Sequence, residues 1–245
     1  MRNDEYESMY LVEDTHFWYQ GMRNISETLL RKHLNRKANL RILDAGCGTG
    51  GAMVWLHQFG VAFGFDVSKQ AIALCKQRGL KRTKIGSITH IPYQSDYFDL
   101  VVSSDVIGQI DSKQAQKAVQ EMRRVLKKDG VVLIRVAAYN WLYSYHDVAV
   151  QTKRRYYNGE LRRLLLKNGF RHVVITYANT ILFPLSLIMR IISKLGPQNL
   201  HKTSDVQPVN PILNRLLFIP LWIESKLIRH INLPFGLSVI AVARK

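Results

Sequence analysis

Apolar and polar positions fall into blocks whose period switches between helix and strand along the chain. Ile25, Leu29, Leu30 and Leu34 recur at helical spacing and predict an amphipathic helix over about 20–37. The short run Leu40–Asp44 predicts a first strand, ended by the glycine-rich turn Gly46–Gly51 and followed by a helix through Met53–Phe59. Val61–Phe65 predicts a second strand, closing on Asp66, and Ser68 is placed to cap a helix over Lys69–Arg78. Strands near Thr83–Ile85 and Phe98–Ser103 bracket a loop containing Pro92. Asp111 or Ser112 suits the cap of a helix running to Lys128, with Gly130 as its stop and Val131–Val136 as the next strand. Glu160–Lys167 reads as a helix, and Phe170–Tyr177 and Leu237–Ala243 as strands.

Strand alternating with helix means a mostly parallel sheet with helices on both faces. Roughly sixty residues separate the last two strands, too many for a hairpin loop. They predict a helical insertion, with helical parts Ile181–Leu195 and Ile212–Ile231 interrupted by Pro184 and Pro220, and Gly196–Pro211 as a linker. The expected organisation is an N-terminal helical lid (1–38), a Rossmann-like core (39–178), the insertion as a substrate cap or membrane-facing element (179–236), and a last core strand (237–245).

Composition narrows this picture. With 47% hydrophobic residues and four Trp, a chain of 245 residues fills a substantial core. Two cysteines, Cys47 and Cys75, make no disulfide framework, which suits a reduced, cytoplasmic protein. The acidic start MRNDEYESMY lacks the apolar stretch of a signal peptide, and no run of about eighteen apolar residues predicts a spanning helix. The net charge of +17 is uneven. Lys76, Arg78, Lys81, Arg82 and Lys84 cluster without an acid, and Lys153–Arg171 carries seven basic residues against Glu160 alone. Such a surface favours a polyanion or an anionic bilayer, although solvated helix faces account for it equally.

The chemistry concentrates in Leu43-Asp44-Ala45-Gly46-Cys47-Gly48-Thr49-Gly50-Gly51, between a strand and a helix. Glycines let the backbone turn tightly and let a ligand approach closely. The spacing Gly46-x-Gly48-x-x-Gly51 alone also fits a dinucleotide fingerprint. Asp44 argues against that, because a carboxylate beside the turn repels a pyrophosphate and attracts a cationic ligand. Asp66, ending the second strand, is placed to accept from both hydroxyls of a ribose. Together the two acids suit an adenosyl ligand without phosphates. Caps of the turn and of the next helix are the competing account.

These residues resemble a known family. Asp44-x-Gly46-x-Gly48-x-Gly50, Gly64-Phe65-Asp66-Val67-Ser68, Ile91-Pro92-Tyr93, Phe98-Asp99-Leu100-Val101 and Val125-Leu126-Lys127-Lys128-Asp129-Gly130 are similar to the ordered motifs of class I S-adenosylmethionine (SAM)-dependent methyltransferases. The resemblance implies the class I Rossmann-like fold: an α/β, seven-stranded, mostly parallel sheet with helices on both faces and a helical insertion before the last strand. It implies SAM as cofactor and S-adenosylhomocysteine as product. Asp44, Gly46, Cys47, Gly48 and Gly50 would hold the methionine end, and Asp66 and Val67 the ribose. Ser87 and Ile88 would flank the adenine, and Ser103 and Ser104 would line the pocket. No metal is expected. The flanks, with Glu13-Asp14-Thr15-His16-Phe17-Trp18-Tyr19 and Tyr139–Asp147, resemble a bacterial subgroup associated with glycan or secondary-metabolite pathways. The chain departs from its relatives at Ser87 (often Asp), Gly108-Gln109 (often Glu-His) and Thr152 (often His).

Methyl transfer from a sulfonium chiefly needs alignment and exclusion of water, and a base only where the acceptor must lose a proton. His146, following the fifth strand, is the candidate base, with a plain loop histidine as the alternative. Arg154, Arg155 and Tyr156 are candidates to grip an anionic acceptor, with Tyr143 beside them; a solvated basic face is the alternative. His16, Trp18 and Tyr19 are candidates for a lid over the cofactor or for helix packing on the sheet, with Trp18 and Tyr19 also candidates to contact the acceptor. The expected acceptor is a small molecule or a glycan- or lipid-linked group, methylated at O or N, with an anionic membrane surface as a further partner. An RNA acceptor, a non-enzymatic membrane-surface module and an NAD-linked oxidoreductase are the competing classes.

Overall fold

A computed structural model describes residues 1–34, 39–195 and 208–245. The linker expected over 196–211 and the end of the helix expected over 20–37 lie mostly outside the described residues. Seven strands form one sheet: β1 (Leu40–Ala45), β2 (Gly60–Asp66), β3 (Thr83–Ile85), β4 (Phe98–Ser104), β5 (Leu126–Ala137), β6 (Arg171–Ala178) and β7 (Ser238–Arg244), in the order β3-β2-β1-β4-β5-β7-β6. All neighbours pair in parallel except β7, which runs antiparallel between β5 and β6. The near-continuous apolar burial of β1, β4 and β5 follows from helices covering both faces. The order reverses direction at β1, and such a switch point opens a ligand crevice at the carboxyl ends of its strands.

The helices are α1 (Asn3–Val12), α2 (Phe17–His33), α3 (Gly51–Leu56), α4 (Lys69–Gln77), α5 (Ser112–Val125), α6 (Tyr145–Ala149), α7 (Asn158–Lys167), α8 (Phe183–Leu195) and α9 (Pro211–Leu227). Ser68 caps α4 by accepting from the Ala71 N–H, as expected. Asp111 caps α5 in a reciprocal pair with Gln114. The helix expected to reach Lys128 stops at Val125 instead. Leu126 already pairs with Phe98, and Asp129 takes a left-handed turn (φ 61°) before Gly130, so the residues read as a helix end open β5. Two helices have no boundaries in the sequence reading: α1, inside the helical lid expected over 1–38, and α6, which carries His146.

The insertion is helical as expected, but Pro220 does not interrupt it; α9 runs through to Leu227. Pro184 and Pro211 sit in the first turns of α8 and α9, where the missing N–H is harmless. α9 packs along α2. Gly21 permits the close approach, because any side chain there would collide with Leu221. Glu224 is fully buried and accepts the backbone N–H groups of Asn179 (2.7 Å) and Ile181 (2.6 Å), closing the turn between β6 and α8.

Candidate functional site

The register puts Asp44 at the end of β1 opposite Gly64 of β2, two residues before Asp66. Both acids therefore stand at the carboxyl edge beside the glycine turn. Gly46 (φ 85°), Gly48 (φ 52°) and Gly50 (φ 88°) all occupy the left-handed region, which is why this turn carries glycine. Its first two N–H groups, of Gly46 and Cys47, donate to the Phe65 carbonyl at 2.9 Å. The loop is thus stitched to β2, and α3 starts directly from it.

Asp44 is 2% exposed, and its Oδ2 is buried with no hydrogen-bond partner. Burial, reinforced by the Asp66 and Glu13 carboxylates and partly offset by Arg135, pushes its carboxyl up to about 7. Asp66 accepts from the Gly48 N–H (3.0 Å), the Ser68 N–H (2.9 Å) and the Tyr6 hydroxyl (3.3 Å). The first two fix its carboxylate toward the loop.

Three residues missed in the sequence lie over this turn. Tyr6 reaches Asp66 from α1, and the Met9 methyl lies against Gly48. Glu13 accepts from the Thr49 hydroxyl and lies against Gly51. Arg78 holds Glu13 and Asp14 at 2.7 Å each, and its guanidinium stacks on Tyr10. Burial pushes the Glu13 carboxyl up to about 7 despite the Thr49 hydroxyl and Arg78. A fourth missed feature is the Arg135–Asp105 pair (2.7 Å), where Arg135 also lies under the Trp18 ring (4.9 Å). The sequence offered one signal for Glu13, its place three residues before His16.

The structure distributes the other expected residues unevenly. Cys47 is buried, with its Sγ 3.9 Å from the Sγ of Cys75, both thiols free. Ile88 is buried, whereas Val67 is largely exposed. Ser87 bonds the Thr89 hydroxyl (2.9 Å). Ser103 is fully buried and donates to the Ala45 carbonyl (3.1 Å), so its hydroxyl ties β4 to β1 and does not line a pocket; Ser104 is partly exposed. His16 caps α2 by accepting from the Trp18 N–H (3.2 Å). Trp18 packs on the core and Tyr19 stacks edge-on against it. The element over the loop is α1, not these three.

Arg155 and Tyr156 point inward. Arg155 is 2% exposed, pairs with Asp147 through two 2.8 Å bonds, and donates to the Ala138 carbonyl. Burial raises the Asp147 carboxyl, but Arg155 and the Ser144 N–H outweigh it and hold it below the ordinary range. The Tyr156 hydroxyl donates to the Ile107 carbonyl (3.3 Å). Arg154 bonds Ser112 and Glu160 over the Tyr156 ring. This arrangement makes the Arg155–Asp147 pair a structural lock of the segment after β5. Asp147→Ala strands a buried guanidinium and should destabilise the fold by about 3–5 kcal/mol in denaturant unfolding. A loss below about 1 kcal/mol would deny the lock.

After β5 the chain carries an aromatic cluster. Tyr139 sits at φ 59°, rare for a residue with a side chain, stacked on Tyr177 (5.3 Å) and Trp141 (5.7 Å). Phe183 meets Tyr139 and Phe235 edge-on. Tyr143 is exposed, with its hydroxyl on the Thr152 carbonyl (3.0 Å). Among the described residues, no group of three or more acidic, His or Cys side chains is arranged to hold a metal.

Comparison with known proteins matches this geometry. A family profile described as a methyltransferase domain covers residues 43–134, from just before Asp44 into β5. A tRNA (carboxymethyluridine(34)-5-O)-methyltransferase of Arabidopsis thaliana is 31% identical over 46% of this chain and 26% of its own length. A malonyl-[acyl-carrier protein] O-methyltransferase of Serratia marcescens is 26% identical over 74% of this chain and 72% of its own. The chain spans less than half the length of several curated relatives it matches. Among solved structures, a Thermotoga maritima SAM-dependent methyltransferase, a possible histamine N-methyltransferase, superposes with TM-score 0.61 at 19% identity over 99% of this chain and 95% of its own. A Haemonchus contortus phosphoethanolamine N-methyltransferase bound to phosphomonomethylethanolamine and S-adenosylhomocysteine gives TM-score 0.58 at 22% identity, over 93% and 52%. These likenesses show the fold.

Proposed function

We propose that the chain is a class I SAM-dependent methyltransferase that binds SAM between Asp44 and Asp66 and methylates a small-molecule or glycan- or lipid-linked acceptor at O or N. The observation that carries the cofactor reading is the buried, partnerless Oδ2 of Asp44 beside three left-handed glycines. An ammonium there completes the hydrogen bonding and charge that the fold leaves open. When bound, SAM supplies an electrophilic methyl on a positively charged sulfur.

The chain's own residues do the rest. Asp44 holds the cationic end, Asp66 accepts from the ribose hydroxyls, and Ile88 offers an apolar wall to the base. α1 excludes water above them. Three of the roughly four acceptor positions of the Asp66 carboxylate are engaged, by Tyr6, the Ser68 N–H and the Gly48 N–H, so a ribose offering two hydroxyls displaces the Tyr6 hydroxyl. Tyr6→Phe should therefore raise the association rate of S-adenosylhomocysteine about threefold, read by stopped-flow fluorescence. A slowed association would mean that Tyr6 assists binding. His146, on α6 after β5, would take the proton where the acceptor is a hydroxyl.

The proposal is tested by thermal unfolding with added nucleosides. S-adenosylhomocysteine at a hundredfold excess over its Kd should raise Tm by roughly 5 °C or more, and NAD should not. A shift with NAD alone would return the loop to the dinucleotide reading. The acceptor reading extends to a cytoplasmic enzyme peripheral to the inner face of a membrane. RNA as acceptor is the second reading, favoured by the exposed Lys76, Lys81, Arg82 and Lys84 and by the Arabidopsis relative. It requires RNA binding that weakens steeply with salt.

A further inference from the structure

Among the described residues, nothing covers the outer face of α9. Ile212, Leu216, Ile219, Ile223 and Leu227 follow one another at intervals of four, three, four and four, and are 40–74% exposed. Those intervals put them in one stripe, about 22 Å long. Leu213 and Trp222, also exposed, widen it. The opposite side of the helix, Leu221, Glu224, Ser225 and Ile228, is the side buried in the fold. An apolar stripe of this length is unusual on a surface helix whose inner side is already satisfied.

The charges beside the stripe have one sign. Arg215, Lys226 and Arg229 are exposed, and the Lys226 ammonium lies 5.3 Å from the centre of the Trp222 ring. The one acid of α9, Glu224, is fully buried and bonded to backbone N–H groups. Apolar side chains outward, a Trp at their edge and cations without acids are the chemistry of a helix lying in a lipid interface. A second copy fits poorly, since it would bring another net charge of +17 against the same basic border. Nor is the stripe a span: among the described residues, no helix is long and apolar enough to cross a membrane.

We propose that α9 docks this protein on an anionic lipid surface, with the Ile212–Leu227 stripe in the acyl boundary and Arg215, Lys226 and Arg229 among the headgroups. The docking element is joined to the site. Asn214 of α9 accepts from the Phe17 N–H (2.7 Å) and donates to the Thr15 carbonyl (2.9 Å), gripping the connection from α1 to α2. A docked α9 therefore sets the hinge of the helix over the cofactor loop beside the bilayer. This deepens the lipid-linked acceptor reading, but it rests on α9 and not on Asp44 or Asp66.

The test is flotation of the full chain with vesicles of phosphatidylcholine alone or containing phosphatidylglycerol. Wild type should float with the phosphatidylglycerol vesicles and shift its Trp emission to the blue, and Trp222→Phe should remove most of that shift. Ile219→Glu with Ile223→Glu should lower partitioning at least about tenfold. Both positions are exposed, so the thermal shift with S-adenosylhomocysteine should survive and report an intact fold. Arg215→Ala with Lys226→Ala and Arg229→Ala should weaken binding and flatten its salt dependence. Flotation that ignores the stripe variants, or no flotation at all, would overturn docking while leaving the cofactor reading standing. A dimer in lipid-free buffer that dissociates in Ile219→Glu/Ile223→Glu would assign the stripe to a second copy instead. Loss of the nucleoside shift in wild type, with flotation intact, would sink the cofactor reading alone.

Discussion

Asp66→Ala should lower affinity for S-adenosylhomocysteine by at least about a hundredfold, a loss of roughly 3 kcal/mol. Two effects combine. The ribose loses a charged acceptor for its hydroxyls, and the loop loses the group that holds the Gly48 and Ser68 N–H groups. Asp66 is 7% exposed, so water does not readily replace those bonds. Ligand-free stability should fall as well, by about 1–3 kcal/mol, because the Gly48 N–H is left buried and unpaired. Asp66→Asn separates the two effects. It retains one acceptor oxygen, so it should recover part of the stability while still binding the nucleoside at least about tenfold more weakly than wild type. Calorimetric titration reads the first quantity and urea unfolding the second. Equal affinity in wild type and Asp66→Ala would remove Asp66 from the site.

Asp44→Asn should move stability and binding in opposite directions. In the ligand-free fold Asp44 is buried without a partner for Oδ2, and its carboxyl titrates near 7, well above an unfolded aspartate. An acid whose folded value is raised binds protons more tightly when folded. Its contribution to stability is full below about pH 4 and is lost as pH rises through about 7. Asn carries no charge to desolvate, so the ligand-free variant should be the more stable protein above pH 7. Binding should show the reverse. The ammonium of the ligand pairs with the ionised carboxylate, so wild-type affinity should rise about tenfold from pH 6 to pH 8. Asp44→Asn should bind about thirtyfold or more weakly at pH 8 and lose most of that dependence, Glu13 supplying what remains. A variant that is both less stable and equally tight would make Asp44 a structural cap.

The opposition between stability and binding expected at Asp44 would mark it as a functional position, where a local rule is broken for the ligand's benefit. The same mark helped in the sequence. An acid at the carboxyl end of each of two neighbouring strands, one beside a glycine turn, is informative because strand ends and glycine spacing are local properties. The sheet, its reversal and the insertion were legible for the same reason.

What escaped was non-local or weakly patterned. α1 carries acids in its first turn and no broad apolar stripe, because it packs on the loop through Tyr6 and Met9 and not on the sheet's core. Periodicity has little to detect in such a helix. The inward turn of Arg155 depends on Asp147, eight residues earlier and brought back by α6. A run of adjacent basic residues in the sequence reads as a surface, and only the fold shows that one of them is buried. The end of α5 was misplaced because Val125 and Leu126 continue the helical pattern, while the pairing of Leu126 with Phe98 is a tertiary decision.

The proposed site requires Asp44, a buried acid in the ligand-free fold, to become charged when the ammonium of the nucleoside's amino-acid end arrives. Calorimetric titration of S-adenosylhomocysteine near pH 6.5, in two buffers of different ionisation enthalpy, measures this directly. The expected result is one site per chain, with more than about half a proton released on binding in wild type and substantially less in Asp44→Asn. No binding, or the same proton release in both proteins, would contradict it.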